Sequence, residues 1–371
     1  MRSRTLFGVT VAGLGAAVVL LGQAPLGAQG AEGRRSGPGV QAAQDAREPE
    51  VLAKCKTPPA PPRAAAARVG GAAPGGGGQG RGAAAGNPMA REYTVTAIPG
   101  VVGAGQRWDV RWRGAGNNAD GILGLDDGSV WIAQNDNSDI LKVDKNGNAS
   151  VIYKDTNTGG AVAITSKGIV YVAERGLNPA IFELAPQRKV FANSFQGDPL
   201  DCIGGTMHDL VVDSKGGVYF ALGDPVFYVD SRGTVTKYGD QSLRGNGLIL
   251  SPDEKRLYIT NGPSLVAFDV QPDGRLTNQR EFARWEGGAG DGLCVDDAGR
   301  VYVSGDTIRV IGPDGKALGT IPTPIGTTSV AFGGPDKKTL YAVGGAVVDG
   351  VRHVQLIGLQ MTAQGFRKRG K

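Results

Sequence analysis

One short pattern recurs six times in this 371-residue chain, and it constrains the fold more than any other feature. Each copy is a polar or glycine-rich turn followed by an apolar run with one aromatic residue, as in Asp127-Gly-Ser-Val-Trp131 and Ala298-Gly-Arg-Val-Tyr302. The aromatic residues lie at intervals of 40, 48, 39, 44 and 39 residues: Trp131, Tyr171, Tyr219, Tyr258, Tyr302 and Tyr341. Strand-forming repeats of this length are typical of propeller blades. The sequence therefore predicts an all-β, six-bladed β-propeller of four-stranded antiparallel blades, with each aromatic on a second strand.

The predicted propeller covers residues 92–362. Asp/Asn-Gly turns after each aromatic strand, such as Asp144-Lys-Asn-Gly147, predict hairpins between third and fourth strands. Tyr93–Ile98 is expected to supply an outer strand that closes the ring with the last blade. A pair of stacked β-sandwiches is the alternative architecture, but it gives no reason for the constant phase.

The first ninety residues differ from the rest in composition. Basic residues in Met1–Arg4 and an apolar run over Leu6–Leu21 indicate a signal peptide over 1–30, with an uncleaved anchor as the alternative. Residues 31–91 are rich in Ala, Gly and Pro and predict a disordered linker. We therefore expect an exported protein, periplasmic or extracellular, with no stable membrane span after cleavage.

The net charge of +5 is unevenly distributed. Residues 1–91 carry +7, the basic tail 363–371 carries +4, and the predicted propeller carries −6. The basic excess thus lies outside the folded domain. An acidic domain suits a cation site and gives no case for a nucleic-acid partner.

The few histidines and cysteines exclude several kinds of site. Two histidines cannot form a three-His zinc centre, and three cysteines cannot form a four-thiolate cluster. Cys55, in the predicted linker, is expected to be a free thiol or an intermolecular link, or to have no role. Cys202 is expected to be a loop thiol and Cys294 a small buried residue, and a disulfide between these two stays open.

Four polar residues share one phase relative to the aromatics. Asp120, His208 and Asp291 lie eleven residues before their aromatic, and Asn246 lies twelve before. Because the inner strands of a propeller all start at the channel on one face, we expect these side chains to converge. The alternative is that Asp-Gly and Asn-Gly are only turn dipeptides.

The converging side chains predict a metal site. Asp120, Asn246 and Asp291 offer oxygen ligands, which favour Ca²⁺ or Mg²⁺. A nitrogen ligand from His208 would also admit Zn²⁺ or Mn²⁺.

The loops after the aromatic strands should lie on the same face. They include Asn135 and Arg175, a cation that could hold a polar or anionic substrate group. The alternative for Arg175 is an ion pair with Glu174 or another rim carboxylate. The sequence shows no Gly-x-Ser-x-Gly elbow and no Gly-x-Gly-x-x-Gly turn on a βαβ unit, which disfavours an α/β-hydrolase and a nucleotide-dependent enzyme.

Three segments carry a resemblance to a known family: His208-Asp-Leu-Val-Val-Asp213, Asn246-Gly-Leu-Ile-Leu-Ser-Pro-Asp253 and Asp291-Gly-Leu-Cys-Val-Asp296. With the blade phase, they resemble the gluconolactonase / senescence-marker-protein / luciferin-regenerating-enzyme family of six-bladed propellers. The resemblance implies one divalent metal at the channel and hydrolysis of sugar lactones or related esters.

The resemblance also implies roles for single residues. Asn246 and Asp291 match the family's metal-binding Asn and Asp, and Asp291 matches its proposed general base. Asp120 stands where the family usually has Glu. His208 stands where an Asn is expected, and Thr206 where sugar-lactone members often carry a substrate-binding Arg.

These observations predict a secreted, metal-dependent hydrolase of a small-molecule lactone or ester. Asp291 would activate water, His208 could shuttle a proton because histidine titrates near neutral pH, and Arg175, Asn135 and Thr206 would contact substrate. Ca²⁺ is the expected metal and a monomer the expected state. The alternative is a non-enzymatic propeller that recognises a glycan or a protein through its loops.

Overall fold

A computed structural model describes residues 40–57, 59, 92–115, 119–348 and 351–367. The predicted signal peptide, most of the predicted linker and the end of the basic tail lie outside these ranges. The described strands form six four-stranded antiparallel sheets and one short hairpin, Ser194–Phe195 with Asp198–Pro199. The predicted six-bladed, all-β fold is confirmed.

Each blade runs from an inner strand at the channel to an outer strand. Blade 1 is Ala119–Gly124, Val130–Gln134, Asp139–Val143 and Ala149–Lys154; blade 2 is Ala161–Ile164, Val170–Glu174, Ala180–Ala185 and Lys189–Ala192; blade 3 is Met207–Val212, Val218–Leu222, Val226–Val229 and Val235–Tyr238. Blade 4 is Gly245–Leu250, Arg256–Asn261, Ser264–Val270 and Leu276–Arg284; blade 5 is Leu293–Val295, Val301–Val303, Ile308–Ile311 and Ala317–Ile321.

Blade 6 is made from both ends of the propeller sequence. Thr327–Gly333, Thr339–Val348 and Val351–Gln360 supply its inner three strands, and Asp109–Ala115 supplies the outer one. The hydrogen bonds between Asp109–Ala115 and Val351–Gln360 thus close the ring, because the chain runs from this outer strand directly into blade 1.

The prediction that Tyr93–Ile98 forms this outer strand is wrong. Val95 and Ile98 are apolar because they are buried against blades 5 and 6, in one cluster with Tyr302 and Phe332. Their packing, rather than strand pairing, accounts for the apolar residues of that segment.

The six aromatic residues all lie on second strands, as predicted. All except Trp131, which is half-buried, are buried between sheets. Tyr219 donates a hydrogen bond to the Gly274 carbonyl of blade 4, and Tyr341 donates one to the Gly128 carbonyl of blade 1. The repeated aromatic thus joins neighbouring blades as well as filling the core.

The segment 40–57, which we call the N-terminal segment, contains a 3-10 helix at Ala42–Gln44 and an α-helix at Glu48–Leu52. A disulfide joins its Cys55 to Cys202, 147 residues later, in the 3-10 helix Leu200–Ile203 between blades 2 and 3. The Lys56 amide also donates to the Asp198 carboxylate over 3.1 Å. This part of the predicted linker is therefore folded onto the propeller.

The disulfide corrects the predictions for two cysteines. Cys55 is neither a free thiol nor an intermolecular link, and Cys202 does not pair with Cys294. Cys294 is buried in the inner strand of blade 5, as expected. Sequence alone does not determine disulfide connectivity, because the partners here lie far apart along the chain.

The chain beyond the last strand packs against the propeller before the described residues end. The Met361 and Ala363 side chains are buried, and Gly365 forms a backbone bridge with Asp296 of blade 5. The folded part therefore extends a few residues past the predicted boundary at 362. Within the described ranges, no helix has the length and apolar character needed to cross a membrane.

Candidate functional site

The inner strands begin and the second strands end on one face of the propeller, which we call the upper face. Each second strand carries one of the six repeated aromatic residues. In every blade, the residue that follows this aromatic pairs with a residue of the inner strand, for example Ile132 with Ile122 in blade 1. Counting back two residues from that partner gives one equivalent position per blade. We call these six positions the channel ring: Asp120, Gly160, His208, Asn246, Asp291 and Thr328.

The strand register therefore brings the four predicted polar residues to one level of the channel. Asp120, His208 and Asn246 are each the second residue of an inner strand, and Asp291 precedes the inner strand of blade 5 by two residues. All four are only partly exposed. Convergence of these side chains was predicted from their spacing alone, and the register agrees with it.

The repeated polar–glycine pairs are not turns. Gly121 and Gly247 lie inside inner strands, where a Cβ on Gly121 would lie 2.8 Å from the Ala161 Cα and one on Gly247 would lie 2.2 Å from the Asp291 carbonyl oxygen. Glycine is needed because the inner strands of adjacent blades approach too closely for a side chain. The alternative of turn dipeptides is wrong for these positions.

In blade 3 an aspartate replaces this glycine. The buried carboxylate of Asp209 accepts hydrogen bonds from the Leu210 amide at 2.8 Å and, across the blade boundary, from the Leu248 amide at 3.0 Å. Asp209 thus joins blades 3 and 4 directly beside the channel ring. Asn246 lies two residues before Leu248, on the strand that donates the second of these bonds.

Arg175 lies in the channel rather than on the rim. Its Nη2 donates to the Asp120 carboxylate over 2.6 Å and to the His208 carbonyl over 3.4 Å. Only 5% of the Arg175 side chain is exposed, compared with 23% of the Asp120 side chain. An ion pair with a carboxylate, one of the two predicted roles, is observed with Asp120. A contact of Arg175 with substrate stays a prediction.

The carboxyl group of Asp291 is close enough to two other carboxylates, Asp120 and Asp209, to be affected by their charges. Burial raises the pKa of Asp291 well above its ordinary value, and the nearby charges of Asp120 and Asp209 raise it further. Arg175 and a hydrogen bond donated by Asn246 oppose that rise. Two carboxyl groups of the ring, Asp120 and Asp291, thus lie within the influence of one cation, Arg175.

The pKa of His208 is shifted in the opposite direction to that of Asp291. Burial in the channel, and then the neighbouring guanidinium of Arg175, lower its pKa to about 4. The imidazole is therefore neutral at pH 7. The role of His208 as a proton shuttle stays a prediction.

The donor set suits a hard divalent cation. Asp120 and Asp291 offer carboxylate oxygens and Asn246 offers an amide oxygen, the ligands such cations prefer. In the part of the chain that the structure describes, no group of three or more His, Cys, Asp or Glu side chains could hold a metal ion. A metal here would therefore depend on Asn246 in addition to the two carboxylates.

The two other predicted substrate contacts lie on the upper face but outside the ring. Asn135 is buried in the loop after the second strand of blade 1, where its carbonyl accepts the Ser138 amide at 3.2 Å. Thr206 is half-buried two residues before His208, and its carbonyl accepts the Gly223 amide at 3.0 Å. Contacts of both with substrate stay predictions.

Two ring positions were missed from the sequence. Gly160 lies eleven residues before Tyr171, so the same spacing could have found it, but it has no side chain to attract notice. Thr328 lies thirteen residues before Tyr341, outside the phase. Its hydroxyl donates to the Ala119 carbonyl of blade 1 at 3.2 Å, which gives it a part in joining the ring.

Residues 149–344, more than half of the chain, match the family described as SMP-30/Gluconolactonase/LRE-like region. The chain belongs to this family. The resemblance noted from the motifs around His208, Asn246 and Asp291 is thereby confirmed at the level of the family.

Characterised relatives share part of the sequence. The chain is 35% identical to 6-deoxy-6-sulfogluconolactonase of Pseudomonas putida over 128 residues, which cover 32% of this chain and 44% of that protein. It is 33% identical to regucalcin of Xenopus laevis over 35% of this chain and 45% of that one, and 27% identical to gluconolactonase of Zymomonas mobilis over 46% and 55%. The matches thus span about half the length of these relatives.

Solved structures show the same fold at lower identity. A gluconolactonase of Xanthomonas campestris has a TM-score of 0.62 at 21% identity, covering 76% of this chain and 98% of that one. A luciferin-regenerating enzyme has a TM-score of 0.59 at 17% identity, covering 71% and 98%. At these identities the likeness concerns the propeller fold alone.

Proposed function

We propose that this protein is a metal-dependent hydrolase of a sugar lactone or a related ester. The observation that carries the proposal is the channel ring, where Asp120, Asn246 and Asp291 from three blades bring oxygen donors to one level. Membership of the family supports the same reaction class.

The relatives' names support the substrate class. Those most similar in sequence include enzymes named for gluconolactone and a sulfonated gluconolactone. The chain departs from the family pattern at Thr206 and His208, two residues on the channel-mouth side of blade 3. We therefore propose a lactone or ester substrate without assigning a particular sugar.

Asp120, Asn246 and Asp291 would hold the metal, with Ca²⁺ first among the candidates because all three are oxygen ligands. When bound, such a cation polarises the carbonyl of the substrate and stabilises the developing oxyanion. Asn246 also donates a hydrogen bond to Asp291, which fixes the carboxylate at the position where it would act.

Asp291 would act as the general base. Its carboxylate accepts a proton from water as the water oxygen bonds to the lactone carbonyl carbon. The bond between that carbon and the ring oxygen then breaks, and the ring oxygen takes up the proton to give a hydroxy acid. His208, neutral at pH 7, would offer a hydrogen bond to substrate or water rather than a charge.

We also propose that the protein is exported to the periplasm or the extracellular space. The apolar run after the basic first residues supports this, and so does the Cys55–Cys202 disulfide, since disulfides persist in oxidising compartments. Fractionation of cells expressing the full chain would place it; a cytoplasmic, uncleaved product would contradict export.

The decisive experiment is a hydrolysis assay on a panel of sugar lactones and simple esters. The full chain would be stripped of metal with EDTA and assayed with Ca²⁺, Mg²⁺, Mn²⁺ or Zn²⁺ added back. We expect turnover only with metal. The Asp291→Asn variant, which keeps the size but loses the base, should lose at least a hundredfold in kcat.

Asp306→Asn is the matched control, because Asp306 lies on the rim of blade 5 and pairs with Arg309 outside the ring. Its turnover should be close to that of the wild type. Absence of hydrolysis with every metal, or equal rates for wild type and Asp291→Asn, would refute the proposal. In that case a binding propeller that uses its upper loops becomes the better interpretation.

A further inference from the structure

Blade 2 contributes to the channel ring in a way that the other blades do not. Its ring position is Gly160, and the guanidinium of Arg175 occupies the space where a side chain would be. A Cβ on Gly160 would lie 1.4 Å from Nη2 and 2.1 Å from Cζ of Arg175. The guanidinium of Arg175 therefore fills the blade 2 position of the channel ring.

The backbone around Arg175 is anchored to the loop before Gly160. The amides of Arg175 and Gly176 both donate to the Asn157 carbonyl, at 3.2 and 3.0 Å. The Asn157 amide group donates to the Leu177 carbonyl at 3.2 Å, and Asn157 is buried. These bonds fix the chain from which the Arg175 side chain enters the channel.

The charge of Arg175 is directed at the predicted metal ligands. Nη2 lies 2.6 Å from the Asp120 carboxylate, and the guanidinium also acts on Asp291 through its charge. Only 5% of the Arg175 side chain is exposed, so water screens these interactions weakly. A divalent cation bound by Asp120 and Asp291 would lie near this positive charge and would be repelled by it.

We propose that Arg175 is a built-in counter-ion that weakens divalent-cation binding at Asp120, Asn246 and Asp291 and keeps these carboxylates together when no cation is bound. This inference rests on the metal site of the proposed function. A residue that only orients a ligand would have the opposite effect, because removing such partners weakens metal binding by about 10- to 100-fold. The sign of the change therefore distinguishes the two roles.

The test measures Ca²⁺ affinity by isothermal titration calorimetry on the metal-stripped full chain. Arg175→Gln removes the charge, and we expect it to bind Ca²⁺ at least tenfold more tightly than the wild type. Arg175→Lys keeps the charge and should stay within about threefold of the wild type. Both ratios are order-of-magnitude expectations from removing or keeping one nearby charge.

Arg309→Gln is the matched control. Arg309 is as buried as Arg175 and also pairs with an aspartate, Asp306, but it lies outside the ring. Its removal should leave Ca²⁺ affinity unchanged. If Arg175→Gln binds Ca²⁺ with equal or lower affinity than the wild type does, the counter-ion role is wrong while the metal site stands.

A variant that does not fold would also decide the question. If Arg175→Gln is unfolded in EDTA, we expect the Asp120→Asn/Arg175→Gln double variant to fold, because it removes both charges of the pair. Failure of that double variant to fold would show a packing role and overturn the inference. If the wild type and all variants bind none of Ca²⁺, Mg²⁺, Mn²⁺ and Zn²⁺, the proposed metal dependence fails together with this inference.

Discussion

Gly160 gives the sharpest test of how the channel ring is built. A methyl group at this position would overlap the Arg175 guanidinium, with 1.4 Å to Nη2, 2.1 Å to Cζ and 2.3 Å to Nε. The backbone of Gly160 has no left-handed φ, so alanine itself causes no strain there. Gly160→Ala should therefore act by expelling the guanidinium and breaking its ion pair with Asp120.

The cost follows from the burial of the pair. Breaking a buried ion pair by removing one partner costs about 3–5 kcal/mol. Because 23% of the Asp120 side chain is exposed, part of that cost is recovered by water. We expect Gly160→Ala to lower the free energy of unfolding by about 2–4 kcal/mol, measured by urea denaturation in EDTA with tryptophan fluorescence.

A double-mutant cycle isolates the cause. In an Arg175→Ala background the space beside Gly160 is empty, so adding Gly160→Ala should cost less than about 0.5 kcal/mol. Gly103→Ala is the control for the substitution itself, since its Cβ would meet nothing closer than 3.8 Å. If the costs of Gly160→Ala and Arg175→Ala simply add, the described placement of Arg175 is wrong.

Three further outcomes are expected. The Cys55→Ser/Cys202→Ser variant should lose about 2–5 kcal/mol of stability towards urea, because the bond closes a 147-residue loop, and a loss below about 1 kcal/mol would count against this. Burial raises the pKa of Asp139 to about 6, so the folded state gains stability from its protonation as the pH falls through 6 towards 4. Asp139→Asn should hence be about 1–2 kcal/mol more stable than wild type in urea at pH 8, with no gain at pH 4; an equal gain at both would refute the assignment. Gly247→Ala, whose Cβ would lie 2.2 Å from the Asp291 carbonyl oxygen, should lose more than about 2 kcal/mol and most lactone turnover, and normal thermal stability would contradict the close approach.

The propeller could be predicted because its blades repeat the same requirement. Each second strand needs an aromatic side chain between adjacent sheets, so Trp131, Tyr171 and their equivalents recur at nearly constant intervals. The same regularity predicted that Asp120 and Asp291 share one level of the channel, since residues at equal distances before the aromatic have equal register.

The features that sequence did not predict depend on contacts with no fixed spacing. The outer strand Asp109–Ala115 and the segment Tyr93–Ile98, of which Val95 and Ile98 are buried, are both apolar in part, and only tertiary packing decides which one joins blade 6. The pairing of Arg175 with Asp120 crosses a blade boundary and needs the absence of a side chain at Gly160. In each case the partner is chosen by proximity in the folded ring rather than by local pattern.

The Cys55–Cys202 disulfide determines which parts of the chain separate after proteolytic cleavage. Cys202 lies between blades 2 and 3. The disulfide therefore closes a covalent loop that contains the outer strand of blade 6, Asp109–Ala115, and the whole of blades 1 and 2. A protease that cleaves between residues 60 and 91 opens this loop but does not release the N-terminal segment, because the disulfide still joins it to the propeller. After such a cut, the residues still joined to Cys55 are released from the propeller only when the disulfide is also reduced.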